Sequence, residues 1–112
     1  MSFQEGVRLF NDARFWDAHE VWEAIWLEAP EPDRRFIQGM IQLAAAYHHL
    51  QRGTYRGGVR LFAAAAAKLS SFPEGYRGLM REDAVQAGEL HRERAARGEK
   101  IAPDEYPKLR YN

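Results

Sequence analysis

The chain has 112 residues, no cysteine, and sixteen Lys and Arg balanced by sixteen Asp and Glu. That length makes one domain that removes roughly two-thirds of its unfolded surface from water, and the absence of cysteine excludes disulfides, thiolate catalysis and cysteine-ligated zinc or iron–sulfur sites while permitting a reducing interior. With no net positive charge and no Lys/Arg block, the electrostatic term that holds nucleic acid is missing, so nucleic acid is not an expected partner.

In chain order, Ser2-x-x-Glu5 has the spacing of a capping box, and Phe3, Val7 and Phe10 follow on one face, so a first helix runs to about Asn11. Asn11 to Arg14 is too short for anything but an antiparallel return, which predicts an N-terminal helical hairpin. The second helix, FWDAHEVWEAIWL from Phe15 to Leu27, places Phe15, His19, Trp22 and Trp26 on one stripe, widened by Ala18 and Ile25; Glu20 and Glu23 lie at its edge beside Trp16. Pro30 ends it. A third helix, from about Pro32 to Arg52, carries Phe36, Ile37, Met40, Ile41, Ala44, Tyr47 and His48 at helical period, with Gln38, Gln42, Ala45 and His49 on the flank and Gly53 as its stop. Thr54 is placed to cap a fourth helix with Tyr55, Val59, Phe62, Ala66 and Leu69 on its inner face. After a loop from Ser70 to Gly75 and a turn over Tyr76 to Met80, Asp83 is placed to cap a fifth helix reaching Arg97. Val85 and Leu90 do not share a narrow stripe there, so this helix and its His91 read as solvated surface. The expected fold is therefore an all-α, single-domain bundle of about five helices over residues 1–97. An extended tail, 98–112, follows, and its Ile101, Tyr106, Leu109 and Tyr111 are apolar enough to lie along the body or a neighbour. Exposed, those side chains would favour a homo-oligomer.

The start MSFQEGVRLF lacks the basic stretch and apolar run of a signal peptide, and the most apolar later stretch, Phe36 to Leu50, is broken by Gln38, Gln42, His48 and His49. No membrane partner is expected, and the expected address is cytoplasmic. LFNDARFWDA (Leu9 to Ala18) echoes LQRGTYRGGV (Leu50 to Val59) at an offset of about forty, each joining two helices through a polar turn and an aromatic. Convergent turn chemistry explains the echo. The alternative is a tetratricopeptide-like protein-interaction module, although such arrays need about three repeats.

Phe10-Asn11, the block Phe15 to Glu23 with Trp26, and the block Phe36 to His49 (FIQGMIQLAAAYHH) together resemble domain-of-unknown-function family 309, small all-helical prokaryotic proteins. The resemblance covers about Phe10 to Leu69, with Asp17 where the family's pattern has Glu. It implies a compact helical bundle and assigns no catalytic role to any residue.

The chemistry-bearing residues are His19, Glu20, Glu23, Gln38, Gln42 and His48. His19-Glu20-Val21-Trp22-Glu23 has zincin-like spacing with Glu in place of the second His, so His19, Glu23 and His48 are weak candidate ligands of a divalent metal, with Glu20 as base of a metal-dependent hydrolase. The leading reading is non-catalytic: a hydrogen-bond network of His19 and the glutamates with Gln38, Gln42 and His48 that fixes helix register. Beside it stands a pocket for a small molecule or peptide bordered by the same groups.

Overall fold

The computed structural model covers residues 1–112. It is all-α: α1 (Phe3–Asn11), α2 (Phe15–Trp26), α3 (Asp33–Gln51), α4 (Tyr55–Leu69) and α5 (Arg81–Ala96), with short 3-10 turns at Tyr76–Gly78 and Pro103–Glu105. The substantial helix packing is between sequence neighbours, α1 on α2, α2 on α3, α3 on α4 and α4 on α5, in a body of 36 × 24 × 23 Å.

The first two antiparallel pairs repeat one plan at an offset of forty residues. Phe3, Gly6, Val7 and Phe10 of α1 are buried, as are Leu43, Ala46, Tyr47 and Leu50 of α3; Ala18 and Trp22 of α2 match buried Gly58 and Phe62 of α4. Both turns close alike. Ala13 (φ 60°) and Gly53 (φ 76°) take the left-handed conformation, and the next amide reaches back into the helix, Arg14 N to Leu9 O and Thr54 N to His49 O. Gly98 (φ 73°) ends α5 the same way, with Glu99 N donating to Arg94 O, although no helix follows. The closure is thus general helix-ending chemistry, and the recurring burial pattern is the stronger sign of a repeated plan.

Three caps differ from expectation. The Ser2 hydroxyl accepts from Glu5 N at 3.2 Å, but the Glu5 carboxylate makes no return bond, so half of the box forms. Thr54 turns its hydroxyl to the His49 carbonyl and ring instead of capping α4. Asp83 lies inside the first turn of α5, which starts at Arg81, and its carboxylate accepts from Arg110.

The core is centred on Trp22 and Tyr47. Trp22 stacks on Phe3 at 5.6 Å and donates its indole N–H to Phe3 O at 3.1 Å. It needs the glycine opposite, because a Cβ on Gly6 would stand 2.0 Å from Trp22 Nε1. Tyr47 stacks on Phe15 and meets Phe62 edge-on. The α3 stripe is rotated from the expected one: Leu43 and Leu50 are buried, while Ile41 and His48 are half-buried.

The reading of α5 as solvated is corrected. Ala84, Gly88, His91 and Ala95 form a buried stripe at 4-3-4 spacing, and a Cβ on Gly88 would already touch Leu43 and Phe62. His91 is 3% exposed, and its Nδ1 lies 2.7 Å from the Tyr47 hydroxyl. Burial raises the Tyr47 phenol well above its ordinary value and, ahead of the nearby Arg94 charge, lowers His91, so a protonated phenol and a neutral imidazole share this hydrogen bond.

The tail lies on the body. Ile101 and Leu109 are buried, Tyr106 packs edge-on to Phe15, and the Asn11 amide grips Leu109 in both senses, donating to its O at 3.0 Å and accepting from its N at 2.7 Å. Met80 N donates to Arg110 O and Asn112 N to Gly78 O.

Candidate functional site

α2 and α3 run antiparallel, so the outer edge of α2 meets the flank of α3 predicted to carry polar groups. At one end the Trp16 indole, 48% exposed, stacks on His19 at 4.7 Å and packs against His48 at 5.1 Å. At the other end Glu23, Trp26, Gln38, Ile41 and Gln42 line a pocket of about 160 Å³. Arg34 stacks over the Trp26 ring at 4.1 Å.

The polar bookkeeping of this groove is unlike that of the rest of the protein. Three buried side-chain atoms lack a hydrogen-bond partner, His19 Nδ1, Trp26 Nε1 and Gln42 Oε1, and all three are on α2 and α3. An unpaired buried group costs on the order of 1 to 3 kcal/mol, so a single groove holding all three is set against its own stability. Larger hollows do not share this property. One of about 430 Å³ beside Asp33 has its acid satisfied, since the Tyr76 hydroxyl and Arg77 Nη1 both donate to Asp33 and hold its carboxyl below the ordinary range.

The structure places the predicted residues as follows. His19 is at the edge of the apolar stripe instead of deep within it, with Nε2 3.4 Å from the Glu23 carboxylate. Glu20 and Glu23 are exposed on the outer face of α2, and Gln38, Gln42 and His48 are half-buried on α3. The proposed register-fixing network does not form: His19–Glu23 is the one close polar approach within the set, and Gln42 Oε1 and His19 Nδ1 stay unpaired. No group of three or more His, Asp or Glu side chains stands close enough to hold a metal ion, so His19, Glu23 and His48 do not form the ligand set that the H-E-x-x-E spacing offered. The Trp16 ring packs against both imidazoles. Burial, then the charges of Arg52, His49 and His19, lowers His48 below the ordinary imidazole value, which leaves its neutral form dominant near pH 7.

Two site residues were not singled out by chemistry in the sequence. Trp26 read as core, yet its indole N–H faces no acceptor; Ile41 read as core and instead lines the pocket. The available signal was register: Trp26 lies three residues beyond Glu23, at the margin of the stripe, where burial is half complete.

Fold and groove together define a small all-α protein of paired helical hairpins with one under-satisfied polar groove. The model of a domain of unknown function, DUF309, matches residues 3–61, more than half of the chain, and the chain belongs to that family. It is also similar to an uncharacterized protein of Aquifex aeolicus, 27% identical over 113 residues that cover 97% of this chain and 31% of that protein. The chain thus spans about a third of the length of the relative it matches. No solved structure gives a significant match. No helix is long and apolar enough to cross a membrane.

Proposed function

We propose that this protein is a non-catalytic binding module and that the groove between α2 and α3 is its docking site. The observation that carries the reading is the gathering of every unpartnered buried polar atom, Trp26 Nε1, Gln42 Oε1 and His19 Nδ1, in and beside one groove. Natural proteins hold binding groups at the expense of stability, whereas a purely structural helix interface is selected to satisfy them. The half-exposed Trp16 adds a rigid aromatic of the kind that anchors interfaces. The Aquifex relative supports a modular role, since a matching unit there is joined to about twice its own length of further chain.

The pocket is lined by Trp26 and Gln42, whose indole N–H and carboxamide oxygen are buried and unpartnered, and by the apolar Ile41. Both polar atoms lie below the surface, so a partner group that bonds to them displaces the side chains that cover them. A group bearing one acceptor and one donor, as an amide does, complements them. N-methylacetamide at tens of millimolar serves as the probe, read by the indole N–H signals in a nitrogen–proton correlation spectrum. The Trp26 signal moves and saturates, while that of Trp22, already bonded to Phe3 O, stays in place. Equal drift of both indoles, or an unchanged response in Gln42→Met, overturns the reading.

A further inference from the structure

The outer surface of α2 carries Trp16, Glu20, Glu23 and Leu27, all exposed, Leu27 to 65%. Forty residues on, the outer surface of α4 carries Arg56, Arg60, Ala63 and Ala67, again all exposed. One stripe is acidic with bulky ends, and the other is basic with small residues. Neither Glu20 nor Glu23 has a Lys or Arg partner, and neither Arg56 nor Arg60 has an acid, although eight arginine–carboxylate pairs form in the protein.

The two stripes flank the same helix. Trp16 packs against His48 of α3, the next residue, His49, lies against Gly57 of α4, and at the far end Gly39 of α3 lies against Lys68 of α4. α2 and α4 therefore both run antiparallel to α3 and parallel to one another, with Trp16 level with Arg56 and Leu27 level with Ala67. A two-fold axis parallel to these helices lays α2 of one copy along α4 of the other, and does so twice. Trp16 then meets Arg56 of the second copy, Glu20 meets Arg60, and Leu27 meets the small side chain of Ala67. A two-fold axis across the helices sets acid on acid, so charge selects the first arrangement.

We infer that the α2–α4 face is an interface between two copies of this chain, paired acid to base about a two-fold axis parallel to the helices. The inference rests on the docking reading above and names its partner: the same arrangement covers the outward flank of α3, including Gln38 and Gln42. Each stripe spans twelve residues, a rise of roughly 16 Å, which is small beside permanent dimer faces, so the pairing is reversible and salt-sensitive.

Sedimentation velocity over a concentration series tests it, at low salt and at about 0.5 M salt, where the Debye length has dropped to about 4 Å. Wild type forms a dimer at low salt that weakens at high salt. Glu20→Arg and Arg60→Glu, both at exposed positions, each create two like-charge contacts and raise the dissociation constant about tenfold or more. An equimolar mixture of the two variants pairs again, and so does the double variant Glu20→Arg/Arg60→Glu, because each restores opposite charges. A wild type that stays monomeric throughout the low-salt series, single variants that associate like wild type, or a mixture that stays monomeric overturns the inference. The amide titration separates this from the groove reading: monomers whose Trp26 indole still answers the amide leave the groove to a different partner, and monomers whose Trp26 ignores it lose both.

Discussion

The α5 and tail side of the molecule and the α2–α4 side treat polar groups in opposite ways. On the first, all six arginines from Arg77 to Arg110 are ion-paired: Arg77 with Asp33, Arg81 with Glu82, Arg92 with Glu89, Arg94 with Glu105, Arg97 with Glu99 and Arg110 with Asp83. Even the buried Tyr47 and His91 satisfy one another. On the second side, Glu20, Arg56 and Arg60 have no ion partner, and three buried atoms have no hydrogen bond. The arginines and the buried polar side chains of the first side find partners within the chain, although Glu93, Lys100, Asp104 and Lys108 there form no ion pair. The other side holds every buried polar side-chain atom that lacks a hydrogen-bond partner, and the docking site proposed above rests on this difference.

The comparison breaks first at the core that both sides share. Trp22→Ala removes the largest fully buried side chain and the indole hydrogen bond to the Phe3 carbonyl, so it lowers stability by about 3 to 5 kcal/mol in urea denaturation. A loss under about 1 kcal/mol contradicts the packing described. Tyr47→Phe probes the α5 side: it leaves His91 Nδ1 buried without its hydrogen-bond partner and costs about 1 to 3 kcal/mol, and an unchanged midpoint contradicts the pairing of these two buried groups.

Much of this was legible in the sequence. The hairpin at Asn11 to Arg14, the breaks at Pro30 and Gly53, and the Phe3/Val7/Phe10 face follow from turn chemistry and period, and the structure has them. α5 was misread because its buried stripe is built from Ala84, Gly88, His91 and Ala95, whose small side chains give little hydrophobic signal, while its larger Leu90 is 55% exposed. The 4-3-4 spacing of those four residues was the signal available. His19, Glu23, Gln38, Gln42 and His48 were correctly placed on facing helices, but whether they bond to one another depends on side-chain distances that spacing does not encode, and most do not.

Acid sharpens the comparison by a smaller amount. His91, facing Tyr47, Arg94 and Glu105, and His48, facing Arg52, His49 and His19, both have folded-state values below the ordinary 6.5. Between each lowered value and 6.5 the unfolded chain binds more protons, so stability is full above about pH 6.5 and declines as pH falls through that window. His91→Gln flattens one share of the decline and His48→Gln the other. A stability profile that is level from pH 7.5 to 5.5 in wild type contradicts both burial assignments.

The most direct measurement is the stability of Gln42→Met, a change that keeps the length of the side chain and deletes its amide, set beside Tyr47→Phe in the same urea titration. Removing a polar group that has no partner leaves nothing stranded, so Gln42→Met is neutral or stabilising, within about 0.5 kcal/mol of wild type or above it, while Tyr47→Phe falls. A loss of about 1 to 3 kcal/mol in Gln42→Met shows that the amide is bonded within the chain, and then the α2–α3 groove is an ordinary helix interface with no vacancy for a partner.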